Sequence, residues 1–531
     1  VYIAASIILY VALAAAVLLA LPPSLLMHTQ LFPSSIDTAK KTAGSKDAID
    51  VSKAGLDPTG FRRFFKAHGR GVVICVTCAA VIVAASWIMG MCPIYNGEVE
   101  TQRNQYELMA KALLQGHLYL DLPVDPNLLS LDNPYDPVER EASGFDYYWD
   151  HALYNGHYFM YFGVVPVLVV FLPWLAITGT SLTTYHATQL FVAVFVIGLF
   201  AFFRALARRF FPDISLGFYL FAAAASSVCS VWYITAAPAL YCTAIAAGIA
   251  FMIWAIYLVF KAAFPPAETA SRRRLLQVLF GCLCGALVFG CRPPIGLAGI
   301  VLIPLLWRVV CDSKGTRGKI YSILCIVLPY LSVAIFLCVY NYARFDNPFE
   351  FGQSYQLTVA DQRGLTFANM FNLSITVPGV GMYFFQMQKG VFMMFPALFV
   401  GCVLACTCCA GKKTSPRGLG AFLVGAIIAC VAVVMLDCAW SPYIILRYRS
   451  DLYWLVCIVA YIGFAAFLQW CKSQTSYCVL AKVSQTAICV AYLLTALTAA
   501  VLIFYPITDL PAVWDSQIWE TAKRVLTFGL L

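Results

Sequence analysis

The sequence predicts an all-α polytopic membrane protein of about 12–13 transmembrane helices, whose extracytoplasmic loops bear short amphipathic helices. Three observations predict it. Of 531 residues, 61% are hydrophobic and only 11% charged, against roughly half and a quarter in a soluble domain. The mean hydropathy is +0.80. Apolar runs near the length that crosses about 30 Å of hydrocarbon recur at 1–22, 71–92, 159–178, 186–203, 214–231, 238–260, 275–291, 295–310, 320–340, 391–410, 419–437, 453–470 and 485–505. A soluble enzyme, a nucleic-acid binder and a disordered tail are excluded on composition.

Taken in order, the runs divide the chain into four regions. Residues 1–70 form an extra N-terminal helix and a basic cytosolic linker, with eight Lys/Arg against four Asp over 28–70. The first run lacks a basic leading segment and is followed by that basic stretch, so it reads as a helix rather than a signal peptide. The first residue is Val, so a start methionine is expected upstream. Residues 71–340 form a transmembrane module that includes a first outer loop, 94–158. Residues 341–390 form a second outer loop, and 391–531 the C-terminal transmembrane helices and an outer tail.

Sidedness follows from charge. The blocks Arg204/Arg208/Arg209, Lys261 with Arg272–Arg274, Lys314/Arg317/Lys319, Lys412/Lys413/Arg417 and Lys472/Lys482 sit between apolar runs. Positively charged loops stay on the cytosolic side, so the +9 net charge reports topology and not a nucleic-acid partner. Counting crossings places 94–158, 341–390, 438–452 and 506–531 outside. One conflict arises: runs 159–178 and 186–203 return the chain to the outside, whereas Arg204, Arg208 and Arg209 belong inside. Either one run is re-entrant or that block is an exception.

Nearly all of the 21 cysteines lie in or beside apolar runs, and none lies in 94–158 or 341–390. They read as small hydrophobes, Cys75 and Cys78 included. The first outer loop carries eleven of the chain's 26 acids, interleaved with Tyr119, Tyr135, Tyr147, Tyr148, Trp149, Tyr154, Tyr158 and Tyr161. Loops of this length in compact proteins are usually functional. Carboxylates can deprotonate a hydroxyl or hold a divalent cation, and aromatic faces stack on sugar rings. Within the loop, apolar residues at 106, 109, 110, 113 and 114 with a stop at Gly116 predict a short interfacial helix.

Only eleven of the 35 Lys/Arg fall outside by this topology, among them Arg103, Arg292, Arg344, Arg363, Arg447 and Arg449. An arginine kept at the outer boundary needs a reason, and a bidentate partner such as phosphate is one. Ion pairing with a neighbouring acid, or snorkelling to headgroups, is the other. No P-loop, dinucleotide fingerprint or zinc spacing is present, and no span carries a run of charges like a proton relay.

These residues carry a resemblance. Tyr106, Ala110, Leu113 and Gly116, behind an acidic segment that follows an early span, resemble the first outer loop of polytopic GT-C glycosyltransferases. The run from Tyr147, Tyr148, Trp149 and Asp150 through Tyr154, Tyr158, Tyr161 and Gly163 to Pro166 resembles an uncharacterised bacterial branch. So do Tyr340 to Gly352 and the pair Arg447 and Asp451, over about residues 90–460 in all. The resemblance implies a polyprenyl-phosphate-linked sugar as donor, an envelope glycan or glycolipid as acceptor, and inverting transfer on the outer face of the cell membrane. It implies a base in the first outer loop, here Glu98 or Glu100, or else Asp150. Many relatives carry an acidic pair at the positions of Gln102 and Arg103. It implies Arg103, Arg292, Arg344, Arg447 and Arg449 for the donor phosphate, and Tyr106, Tyr148, Trp149, Tyr154 and Tyr161 for substrate contact. No metal ligand is assigned; the acid-rich loop permits a divalent cation (Mg or Mn) without demanding one. A polysaccharide ligase or polymerase is the related alternative. A lipid-linked glycan flippase is the unrelated one, disfavoured because transporters place polar groups at the membrane midplane.

Overall fold

The computed structural model describes residues 58–91, 104–504 and 524, apart from 145, 239, 267–268, 365–370, 388, 411–417, 441–444 and 474–477. Glu98, Glu100, Arg103, the run 1–22 and the block Lys412/Lys413/Arg417 lie outside the described residues. Among the described residues, ten helices are long and apolar enough to cross a membrane. They are Gly69–Gly90 (the end of α1, Pro58–Gly90), α4 (Thr184–Phe210), α5 (Leu216–Ala236), α6 (Leu240–Ala263), α7 (Ser271–Gly290), α8 (Pro293–Cys311), α9 (Gly315–Phe345), α12 (Leu419–Trp440), α13 (Tyr453–Ser473) and α14 (Cys478–Ile503). Shorter helices are α2 (Gln105–Gln115), α3 (Leu172–Thr178), α10 (Leu373–Phe385) and α11 (Pro396–Ala410).

The run at 159–178 does not cross. Its helical part, Val167–Thr178, opens with a π turn and has Pro173 near the start of α3. Twelve residues at 1.5 Å each reach about 18 Å, well short of the hydrocarbon thickness. It packs along α2 instead. The single crossing from the first outer loop is therefore α4, and Arg204, Arg208 and Arg209 join the other basic blocks on one side. The topology conflict resolves in favour of a turned-back run.

The buried centre is made by α4, α5, α6 and α13, whereas α9 shows most of its surface, including Ile323, Leu324, Leu328, Ile335 and Val339. In lipid, apolar surface alone does not drive helices together, so small residues that admit close backbone approach matter more. A Cβ on Gly463 of α13 would lie 1.9 Å from the Gly401 carbonyl oxygen of α11, and one on Gly401 would lie 2.6 Å from the Ala460 Cβ. Helix ends are capped locally: Thr183 accepts from the His186 N–H and Ser215 from that of Phe218.

The predicted interfacial helix is α2. Gly116 at φ 89° ends it, donating back to Ala112 and Leu113. Tyr106, Met109 and Ala110 face inward as expected, but Ala112 is the fourth buried apolar residue, and Leu114 is exposed. Glu107 fixes α2 to the bundle by accepting from the Thr184 N–H at 3.0 Å, at the head of α4. Burial raises its carboxyl above the ordinary value, and the bond from Thr184 opposes that rise.

The outer layer also holds an antiparallel hairpin that the sequence reading leaves out. Strands β1 (Ala152–Tyr154) and β2 (His157–Phe159) pair Ala152 with Phe159 and Tyr154 with His157. The turn is Asn155-Gly156, at φ 47° and 74°, the positive-φ pair that a two-residue hairpin requires. Leu120 bridges to Tyr158 on one side and Gln356 to Ala152 on the other. The second outer loop thereby docks on the first.

Candidate active site

A cavity of about 920 Å³ opens beneath the joined outer loops. Its apolar lining includes Phe162, Leu240, Phe289, Leu337, Leu436 and Trp440. Its polar lining includes Gln353, Gln356, Thr358 and Gln362 from the second outer loop. Asp150, Arg292, Arg344 and Arg447 all line it, brought together from four separate parts of the chain.

Asp150 stands just before β1. Its backbone adopts φ 62°, a left-handed conformation that aspartate tolerates better than most residues. Leu357 O accepts its N–H at 2.9 Å, and its carbonyl accepts from Gln105 Nε2 at 2.9 Å. The residue is 8% exposed. Oδ1 accepts from Tyr161 at 3.2 Å and from Gln356 Nε2, and Oδ2 accepts from the Tyr241 hydroxyl. Three donors fix its plane, and a carboxylate has about four lone-pair sites, so one acceptor site is left on Oδ2 of a residue that lines the cavity. Burial, and then the charge of Asp150, push the Tyr161 hydroxyl well above its usual range, so it remains a donor. The neighbouring His151 is buried, and desolvation lowers it below the ordinary imidazole value; its Nδ1 lies 2.8 Å from the Trp149 carbonyl oxygen.

The arginines divide by partner. Arg292 precedes α8, and its Nε donates to both oxygens of Asp451, at 2.6 and 2.8 Å, where Asp451 is 0% exposed. Its charge is therefore matched within the protein. Arg344, near the end of α9, donates to Met160 O at 2.6 Å and Asn341 Oδ1 at 2.8 Å, over the Tyr340 ring at 4.0 Å. Its buried Nε has no partner among the described residues. Arg447 makes no hydrogen bond or ion pair among the described residues. Its guanidinium lies over the Tyr241 ring at 4.1 Å and the Tyr448 ring at 5.4 Å. The Arg292 guanidinium also lies 5.4 Å from the Tyr448 ring.

Four of the other predicted residues fall away from the cavity lining. Arg449 is fully buried against Tyr383, with Gln386 Oε1 at 3.5 Å. Tyr106 is buried and stacks on Phe171 at 5.3 Å. Tyr148 packs edge-on against Tyr158, and Tyr154 donates to Asp346 Oδ2 at 3.2 Å. Trp149, 39% exposed, and Tyr161 do line the cavity. Sequence reasoning misses Tyr241, Gln356 and Tyr448. It also misses Asp437, 4% exposed on α12 at the cavity edge, where its carboxylate accepts from Tyr383 at 3.4 Å. A lone aspartate near the end of an apolar run was the available signal for Asp437. Tyr241 and Gln356 carry none in one dimension.

Gly163 holds the two halves of the site together. A Cβ there would lie 2.2 Å from the Gly290 carbonyl oxygen and 2.6 Å from that of Cys291, so only glycine lets the first outer loop rest on the backbone leading to Arg292. For a divalent cation the described residues offer no fit. No group of three His, Cys, Asp or Glu side chains among them could hold one, and the Asp150 oxygens are met by tyrosine and amide donors.

No family model matches the chain, and no curated protein does. Among solved structures it is similar to ArnT from Cupriavidus metallidurans bound to undecaprenyl phosphate, with 14% identity, 87% of this chain and 77% of that one covered, and a TM-score of 0.42. It is also similar to the Archaeoglobus fulgidus oligosaccharyltransferase in complex with Zn and sulfate, with 11% identity and a TM-score of 0.38. That likeness covers 84% of this chain and spans 57% of the archaeal protein.

Proposed function

We propose that the chain is a GT-C-type glycosyltransferase. It transfers a sugar from a polyprenyl-phosphate donor to a cell-envelope glycan or glycolipid, on the outer face of the membrane and with inversion. One observation carries the proposal: an oriented carboxylate and an arginine without an acidic partner among the described residues line one cavity that offers both apolar and polar side chains. The apolar side chains suit a prenyl chain, and the amides suit sugar hydroxyls.

In this reading the acceptor hydroxyl attacks the anomeric carbon of the donor sugar. A new carbon–oxygen bond forms there while the bond from that carbon to the phosphate oxygen breaks on the opposite face. The hydroxyl proton passes to the open lone pair of Asp150, a base held within reach. Negative charge grows on the departing phosphate and is met by Arg447, with Arg344 lining the same cavity. Donors fixed in place before charge develops are the strongest source of such stabilisation. Arg292, matched by Asp451, steadies Tyr448 and through it Arg447. The outward orientation rests on the basic blocks that lie across the membrane from the site.

The test is transfer from radiolabelled polyprenyl-phosphate sugars into envelope extract by purified protein in detergent or vesicles. Wild-type transfer with loss in Asp150→Asn supports the reading. Absence of transfer with every polyprenyl-phosphate sugar would refute it.

A further inference from the structure

Tyr241, the second residue of α6, touches both halves of the site. Its hydroxyl donates to Asp150 Oδ2, its ring carries the Arg447 guanidinium at 4.1 Å, and the ring edge packs on Phe162 at 5.4 Å and 73°. Asp150 comes from the first outer loop and Arg447 from the turn Leu446–Asp451 ahead of α13. We infer that Tyr241 is a positioning residue that sets the separation between the acid and the phosphate-facing arginine. This rests on the glycosyl-transfer reading above.

The two contacts are chemically separable. A hydroxyl donating to a carboxylate fixes where its remaining lone pair points, which governs the reacting step. A ring beneath a guanidinium holds the cation by its quadrupole and needs no hydroxyl. Tyr241→Phe therefore removes only the first contact, and Tyr241→Leu removes both. Each contact is thus expected to leave its own kinetic signature.

Three readouts test this on the full-length protein: kcat, donor KM, and the affinity for polyprenyl phosphate alone. Tyr241→Phe is expected to lower kcat about 10- to 100-fold while leaving donor KM and polyprenyl-phosphate affinity as in wild type. Tyr241→Leu is expected to lower kcat similarly and also to weaken polyprenyl-phosphate binding roughly 5- to 30-fold. Combined with Asp150→Asn, Tyr241→Phe is expected to add no further loss, because the two act through one carboxylate. Wild-type kcat in Tyr241→Phe would overturn the inference, as would equal effects of Phe and Leu on binding. A wild-type protein that transfers no sugar yet shows the Leu-specific loss of polyprenyl-phosphate binding would retain the ring's role and refute the transfer reading. Thermal unfolding of both variants separates a lost contact from a lost fold.

Discussion

At the residue scale, the informative distinction is between Arg292, whose charge Asp451 matches, and Arg447, which makes no ion pair among the described residues. Arg292 and Asp451 form a buried pair, and removing one partner of such a pair leaves an uncompensated charge that costs about 3–5 kcal/mol. Asp451→Asn is therefore expected to lower thermal stability markedly. Arg447→Gln removes a cation with no acidic partner among the described residues, so it should change stability little and raise donor KM or lower kcat by at least tenfold. Melting curves and donor titrations on the two variants check this; the opposite pattern would reverse the two roles. The sequence made both arginines visible as outward-facing exceptions to the membrane's charge sorting. It could not say which of them was paired, because Asp451 lies 159 positions from Arg292 and meets it only after five further helices and a turn have folded.

At the element scale, the site depends on short pieces that composition hides. Helix α2 was legible because its apolar spacing and its Gly116 stop are local. The hairpin was written in Asn155-Gly156, a local signal, yet the surrounding aromatic residues read as a ligand surface rather than as strands. The docking of the second outer loop was illegible, since the Ala152–Gln356 bridge joins segments some two hundred residues apart. Gly163 gives this layer a direct test. Gly163→Ala puts a methyl group against two carbonyl oxygens, so the first outer loop must lift from the backbone before Arg292. Transfer is expected to fall at least tenfold while the transmembrane bundle, followed by its thermal unfolding, stays near wild type. Full activity in Gly163→Ala would show that this contact does not hold the site.

At the scale of the whole molecule, the sequence carried the fold class and most of the topology, because hydrocarbon thickness and charge sorting act on composition alone. Three of the thirteen apolar runs do not appear among the ten spanning helices. The run 1–22 lies outside the described residues, 159–178 is too short, and 391–410 becomes the 15-residue α11. Length in apolar residues could not separate a crossing from a run that turns back. The turn-back has a testable consequence for sidedness. A cysteine placed at Thr180 should react with a membrane-impermeant thiol reagent from the same side as one at Asp121, and one at Pro212 from the opposite side. Labelling of Thr180 from the side opposite Asp121, with Pro212 labelled from the same side as Asp121, would restore the extra crossing.

The central claim is that Asp150 deprotonates the acceptor while Arg447 meets the departing phosphate. The most direct measurement is the rate of sugar transfer from a radiolabelled polyprenyl-phosphate donor by wild type, Asp150→Asn, Glu98→Gln and Glu100→Gln, each verified as folded. Loss of a positioned base should lower kcat about 10²- to 10⁴-fold in Asp150→Asn and leave the two glutamine variants within a fewfold of wild type. Undiminished transfer by Asp150→Asn, with activity lost in Glu98→Gln or Glu100→Gln instead, would contradict the account and move the base upstream of α2.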